Sequence, residues 1–238
     1  MNPLVSIIIP TLNEEENLVV LLDHLFATGN LREMEVIVAD GGSSDATVKV
    51  ASGFPAKCVT GPKGRAIQQN CGAKISRGSI LYFVHADTIP PATWLSDLQR
   101  AVHQGSHLGG FRFRFVSERK ILRFNSFMTR FNVRAFRGGD QSIFIARSLF
   151  DQLNGFDEKF EIMEEYDLLR RASSLGIHYR LLEGEVLVSD RKYHNNSWLR
   201  VNWANTVAMW MFNRKSPPGD IRETYFRLLK RNNSRYQQ

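Results

Sequence analysis

The chain has 238 residues, of which 43% are hydrophobic and 23% charged, and 31 Lys and Arg against 24 Asp and Glu give a formal charge of +7. This is an ordinary globular composition, long enough to bury one sizeable core and free of low-complexity tracts or an internal repeat, which excludes disordered, fibrous and solenoid classes. The positive balance calls for an anionic partner. The basic residues are spread along the chain without a nucleic-acid-binding motif or zinc-ligand spacing, so nucleic acid is set aside and a diphosphate-bearing substrate or an anionic membrane surface remains.

In chain order, the run Val5-Ser6-Ile7-Ile8-Ile9 reads as a first strand that enters Pro10-Thr11-Leu12-Asn13-Glu14-Glu15. Leu18, Leu21, Leu22, Leu25 and Phe26 recur at helical spacing, predicting an amphipathic helix over 15–27 that Gly29 helps to end. A second strand over 35–39 leads to Asp40 and a Gly-Gly turn, and a short helix starts near Asp45. Residues 56–60 form a third strand, and Gly61-Pro62-Lys63-Gly64 turns into a helix carrying Arg65, Gln69 and Asn70. The fourth strand, from Ile80, is expected to end at Asp87. Pro90 and Pro91 set the start of a helix with Trp94, Leu95, Leu98, Ala101 and Val102 on one face. Phe111, Phe113 and Phe115 alternate with Arg112 and Arg114, so that strand has one buried face and one basic face.

Further on, residues 119–136 read as a helix, Ser142 to Ala146 as a strand and Glu164 to Leu175 as a helix terminated by Gly176. His178 to Leu182 and Glu185 to Val188 are expected to pair as a hairpin across Glu183-Gly184. Trp198, Trp203 and Trp210 then cluster with Met209, Met211 and Phe212, ahead of Pro217-Pro218-Gly219 and a basic tail from Arg222 to Arg235. Two readings stay open for that end: a helix resting in a membrane interface, or one closing the core with its charges in water.

Short β-branched strands separated by helices predict an α/β fold with a mostly parallel central sheet flanked by helices. Such sheets bind ligands outside the carboxyl ends of their strands, so Asn13, Glu14, Asp40 and Asp87 are expected to converge on one crevice. Taken singly, Glu15 and Asp45 read better as helix caps. The organisation expected is a single domain over 1–190 with a helical C-terminal extension over 191–238.

The segments Ser6-Ile7-Ile8-Ile9-Pro10-Thr11-Leu12-Asn13-Glu14-Glu15, Asp40-Gly41-Gly42-Ser43-Ser44-Asp45-Ala46-Thr47, Gly64-Arg65-Ala66-Ile67-Gln68-Gln69-Asn70-Cys71-Gly72-Ala73, His85-Ala86-Asp87-Thr88, and Gly155-Phe156-Asp157-Glu158 through Glu164-Glu165-Tyr166-Asp167-Leu168 occur in an order that resembles the family-2 glycosyltransferases, enzymes of GT-A fold. The resemblance covers roughly residues 4 to 170. It implies a nucleoside-diphosphate sugar as donor, a divalent metal (Mg or Mn) as cofactor, and inverting transfer of one sugar to an acceptor hydroxyl. Asp87 stands at the second Asp of the family's Asp-X-Asp and is the implied metal ligand. His85 replaces the first, either touching the metal's water shell or simply ending the strand; the second role suits a hard cation better. Asp40 is where the family reads the nucleotide base, with Pro10 stiffening the turn and Thr11, Asn13 and Glu14 lining the pocket. Lys63 and Arg65, at a helix N-terminus, are diphosphate ligands on chemistry as well as resemblance.

Glu164-Glu165 stands where inverting members carry a Glu-Asp pair, so Glu165 is the implied general base; two carboxylates at a helix start also complement its dipole. Asp167, on the same face, is a candidate to share the work. Gly138-Gly139-Asp140-Gln141 resembles an acceptor-side loop of a stand-alone bacterial subgroup, which makes Asp140 a second candidate for base or acceptor ligand, with a tight turn as its bland alternative. A sugar-1-phosphate nucleotidyltransferase, or a nucleotide-sugar-binding protein without turnover, are the rival readings. The first is disfavoured because no glycine-rich loop follows the first strand. No Gln-X-X-Arg-Trp sequence is present, which argues for one sugar per encounter rather than processive synthesis.

The N-terminus does not read as a signal peptide, and no apolar run approaches the length of a membrane span. The expected location is the cytoplasm, peripheral on the inner face of the plasma membrane if the C-terminal helix binds there, where it would meet a lipid-linked acceptor. Cys58 and Cys71, on a predicted strand and helix, read as buried free thiols.

Overall fold

The computed structural model describes residues 4–117, 119, 121, 122, 126 and 142–229. Along the chain they form β1 (Val5–Thr11), α1 (Glu15–Thr28), β2 (Met34–Asp40), α2 (Thr47–Ser52), β3 (Ala56–Thr60), α3 (Arg65–Ile75), β4 (Ile80–Phe83), β5 (Thr88–Ile89), α4 (Trp94–His103), β6 (Leu108–Val116), β7 (Ile143–Ala146), α5 (Arg147–Gln152), α6 (Glu164–Ser174), β8 (Arg180–Ser189), a 3-10 turn (Arg191–Tyr193), α7 (Trp198–Asn213) and α8 (Pro218–Leu228). The strands make one eight-stranded sheet in the order β3-β2-β1-β4-β7-β6-β8-β5. β1 pairs in parallel with β2 and β4, and β2 with β3, while β7 and β5 run antiparallel to their neighbours.

The period-two alternation of the strands divides the core between the two faces of the sheet. Val5, Ile7 and Ile9 of β1, Ile80 and Tyr82 of β4 and Phe111, Phe113 and Phe115 of β6 join Leu18, Leu22, Trp94 and Leu98 from α1 and α4 on one side. Ile8, Leu81, Phe83, Ile143 and Ile145 meet Ala66, Ala73, Phe150, Phe156 and Leu168 on the other. Both faces are covered, which is why the parallel strands read as unbroken apolar runs. Fully burying each Leu, Ile or Phe contributes about 1.5–3 kcal/mol.

The C-terminal helices pack on rather than trail. Val201 of α7 reaches the first core, and Ala208, Phe212 and Ile221 of α7 and α8 enclose Phe160 in a third cluster that Tyr166 of α6 abuts. Arg170 of α6 lies over the Phe212 ring at 4.6 Å. Pro218 opens α8, so Arg222 and Arg227 sit on a helix instead of in a tail.

Several expectations are corrected. The fourth strand ends at Phe83, and Val84 to Asp87 lead through a turn into the short β5. The helix after Pro90-Pro91 begins only at Trp94. The expected hairpin across Glu183-Gly184 is one continuous strand: β8 runs parallel to β6, and its register jumps from Leu182 opposite Phe111 to Glu185 opposite Arg112. Glu183-Gly184 is thus a bulge, and Gly184 fits because a Cβ there would come within 3.0 Å of the Phe111 ring. Cys58 is exposed, because β3 is the sheet edge, and Cys71 is half-buried; both are free thiols. α5 was not expected. The predicted helix over 119–136 lies almost wholly outside the described residues, as does Asp140 with its loop.

At the amino ends of the strands, Glu35 ties three segments together. It accepts from Ser6 Oγ at 2.7 Å, from Lys57 Nζ at 2.8 Å and from the Arg77 backbone N–H. Burial works against its charge, but these hydrogen bonds and the Lys57 charge hold the carboxyl at about 2, below the ordinary 4.5. A depressed carboxylate stabilises the fold fully above its unfolded pKa and loses that contribution as pH falls through the folded one. Glu35→Gln is therefore expected to lower the thermal midpoint at neutral pH, with the gap from wild type closing between pH 4.5 and 2 in a melt series; a gap independent of pH would refute the assignment.

Candidate active site

The loops after β1 and β2 are laced into one surface. Asp40 ends β2, buried, opposite Thr11 in the sheet register. Its Oδ2 accepts from the backbone N–H groups of Gly42 and Ser43, both at 2.9 Å, and its Oδ1 from Ser43 Oγ and Thr11 Oγ1. Gly42 takes φ +88, which the tight turn around the carboxylate requires. Asn13, left-handed at φ 55, donates its N–H to Ser43 Oγ and accepts from Ser44 N at 2.8 Å. Asp45 accepts from the hydroxyl and N–H of Thr47 in α2 and from the N–H of Glu15 in α1; burial works against its charge, but these hydrogen bonds hold its carboxyl low. Asp45 thus caps the helix that follows it, as expected, whereas Glu15 does not cap its own helix but accepts from Ala46 N ahead of α2. Pro10, buried in β1, stiffens the lead-in.

Gln68 of α3 was not singled out by sequence reasoning. Its buried amide donates to Thr11 O at 2.6 Å and Ala39 O at 2.9 Å, joining the ends of β1 and β2 from behind. Nearby, Asn70 donates to Phe156 O and accepts from Phe156 N, both at 2.9 Å, while the Phe156 ring packs edge-on to Phe83 at 4.9 Å. The Gly155-Phe156 segment thereby fixes α6 against α3.

α6 brings its first turn to the same crevice. Glu164 and Glu165 are both buried, and Glu164 Oε1 pairs with Arg65 Nη1 of α3 at 3.1 Å. Glu165 Oε1 lies 3.2 Å from His85 Nε2. Burial raises the Glu165 carboxyl above its usual range, opposed by the hydrogen bond and charge of His85 and reinforced by Glu164. Burial and the Arg65 charge would lower the His85 imidazole, but its hydrogen bond to Glu165 together with the Glu165 and Asp87 charges raises it. His85 thus has a role other than ending a strand. Asp167 is buried and paired within its own helix, with Arg170 at 2.6 Å and Arg171 at 2.7 Å.

Asp87, two residues beyond His85, pairs with Arg191 Nε at 3.0 Å, and the same guanidinium reaches Glu14 Oε1 at 2.7 Å. Arg191 also escaped sequence reasoning; lone basic residues carry no periodic signal. Lys63 is exposed in the turn before Arg65. Contacts thus join Asn13 to Asp40 through Ser43, Glu14 to Asp87 through Arg191, Arg65 to Glu164, and His85 to Glu165, while Asp140 lies outside the described residues. Among the described residues no group of three or more His, Cys, Asp and Glu could hold a metal ion. Asp87 alone still fits a hard cation of the Mg²⁺ type, which is commonly held by one or two carboxylates while substrate phosphates and water complete its shell.

Residues 6–157 match the family described as glycosyl transferase family 2. The chain belongs to that family. Glycosyltransferase AglE of Haloferax volcanii is 34% identical over 101 residues, 39% of this chain and 33% of that protein, so the match spans about a third of the relative's length. Among solved structures, the mannosyltransferase PcManGT from Pyrobaculum calidifontis, in complex with GDP-Man and Mn²⁺, superposes with a TM-score of 0.66 at 17% identity, covering 96% of this chain and 70% of that one. S. aureus TarS 1-349 in complex with UDP-GlcNAc gives 0.64 at 14% identity, covering 94% and 71%. At such identities the likeness establishes the fold, and it is the GT-A fold expected from the sequence.

Proposed function

We propose that the chain is an inverting glycosyltransferase that moves one sugar from a nucleoside-diphosphate sugar to an acceptor hydroxyl. The observation that carries the reading is the 3.2 Å contact between His85 and Glu165, which joins a carboxylate of raised pKa to the loop after β4 that also bears Asp87. Family membership and the nucleotide-sugar complexes of the structural relatives support it.

On the donor side, Thr11, Asn13, Glu14 and Asp40 would receive the nucleoside. The Asp40 lone pair now engaged by Ser43 Oγ is the one a ring N–H would take over. Lys63 and Arg65, at the amino end of α3, supply fixed positive charge to the leaving diphosphate. A divalent cation held by Asp87 would add Lewis-acid stabilisation of the same leaving group. On the acceptor side, Glu165 takes the hydroxyl proton as the oxygen bonds to the anomeric carbon and the bond from that carbon to the diphosphate breaks. Attack opposite the leaving group inverts the anomeric centre. His85 orients Glu165 and keeps its ionised form accessible. Glu164 holds Arg65 in place.

The acceptor reading concerns α7. Leu199, Trp203 and Trp210, spaced to share one helical face, are 72%, 61% and 53% exposed, whereas Trp198 is half-buried against the core. α7 contains no acidic residue, and Arg214 stacks over Trp210 at 4.2 Å. Tryptophans with basic neighbours suit the headgroup layer of an anionic membrane. No described helix is long and apolar enough to cross one. Peripheral attachment on the cytoplasmic face would bring the crevice to a lipid-linked or membrane-proximal acceptor, and two free thiols fit a reducing compartment.

Glu165→Gln is expected to lower kcat by about 10²–10⁴-fold at nearly constant donor KM, because the amide keeps size and hydrogen bonding but takes no proton. Asp140→Asn should be milder, and the reverse order in steady-state assays would move the base to Asp140. Product anomeric configuration by NMR tests inversion. For attachment, the protein should co-sediment with anionic vesicles at low salt and release at high salt, and Trp203→Ala with Trp210→Ala should abolish it; indifference of the intact chain to such vesicles would rule the membrane reading out.

A further inference from the structure

Arg191 stands at the start of the 3-10 turn that follows β8, and its guanidinium bridges two loops. Nη2 lies 2.7 Å from Glu14 Oε1, Nη1 donates to Glu14 Oε2 at 2.9 Å, and Nε lies 3.0 Å from Asp87 Oδ2. Glu14 follows β1 and Asp87 follows β4, so the fork spans the two central strand ends. The carboxylates are only 13% and 16% exposed and would repel each other without a cation between them. The turn itself is anchored: Tyr193 is buried, its ring meets Phe115 edge-on at 5.5 Å, its N–H donates to Asp190 O at 2.8 Å, and its carbonyl accepts from Arg119. The backbone is therefore fixed, and the freedom to leave the carboxylates belongs to the side chain.

We infer that Arg191 is an internal cation that neutralises the Glu14 and Asp87 carboxylates and makes divalent-ion binding depend on the nucleoside diphosphate. The inference rests on the reading of Asp87 as the metal ligand. A dication and a guanidinium on one carboxylate repel at the reduced dielectric of a half-buried site, so the ion alone gains little by entering. A diphosphate changes both sides of that balance. Its oxygens complete the shell that Asp87 begins, and they offer Arg191 a planar, bidentate anionic partner in exchange for the carboxylates it releases. Arg191 then joins Lys63 and Arg65 around the leaving group. Metal and donor consequently load together, and the donor-free site stays neutralised rather than holding two bare carboxylates.

The test is Mn²⁺ binding, read by electron paramagnetic resonance of free Mn²⁺ with the full chain, with and without GDP or UDP, each corrected for the Mn²⁺–nucleotide complex measured without protein. Wild type should bind Mn²⁺ weakly alone and at least about tenfold more tightly with the nucleotide that fits. Arg191→Met, checked for a native melt, should bind Mn²⁺ at least about tenfold more tightly than wild type in the absence of nucleotide, while Arg191→Lys, which keeps the charge, should stay near wild type. Equal Mn²⁺ affinity of wild type with and without nucleotide overturns the inference even if the Met variant does not fold, as does equal affinity of wild type and Arg191→Met without nucleotide. Absence of Mn²⁺ binding to every protein under every condition would instead overturn Asp87 as metal ligand, and the inference with it.

Discussion

Parallel strands cannot be joined by a tight turn, so β1 and β2 leave the sheet at one edge and return through α1 and α2, while β4 leaves at that edge through the turn that leads into β5. That constraint creates the crevice. The β1–β2 register sets Thr11 beside Asp40, and the β1–β4 register sets Ile8 beside Phe83, so three consecutive loops open within reach of each other. Carbonyls at such an edge have no further strand to pair with. The amide of Gln68 satisfies two of them, and Asp40 collects the N–H groups of its own turn.

The crevice that results is rich in charge, and its charges are paired across elements far apart in sequence. Arg65 meets Glu164 across 99 residues, and Arg191 meets Glu14 across 177. Breaking one member of such a half-buried pair leaves an uncompensated charge, so each partner is held where the other needs it. Held charges of this kind need little reorganisation when charge develops on a leaving group. Glu165 is the exception: it pairs with an imidazole, His85 Nε2 at 3.2 Å, instead of a guanidinium.

Much of this was legible in the sequence, because strong periodicity marks β1, β2, β3 and α1, and because the carboxylates sit at strand ends where ligands bind. Family resemblance added roles to Asp87 and Glu165 that spacing alone could not assign. What sequence missed has a physical pattern. The β8 bulge depends on Gly184 lying against Phe111, a contact across the sheet. Gln68 and Asn70 look like ordinary polar positions on a helix until the strand ends they bond are in place. The pairing of Asp167 with Arg170 and Arg171 depends on side-chain directions that spacing along a helix does not give. The tryptophans of α7 divide between core and surface, a split that composition cannot make because the helix is apolar nearly all round.

The central claim is that the edge formed by β1, β2 and β4 binds a nucleoside diphosphate. A thermal-shift panel of nucleoside diphosphates, their sugars and the matching monophosphates, each with and without Mn²⁺, tests it most directly, since a ligand that binds only the folded chain raises its melting temperature by mass action. The account predicts a clear upward shift with one base, larger for the diphosphate than the monophosphate, enhanced by Mn²⁺ and lost in Asp40→Ala. Equal melting temperatures across the whole panel, in a chain that melts cooperatively, would contradict it.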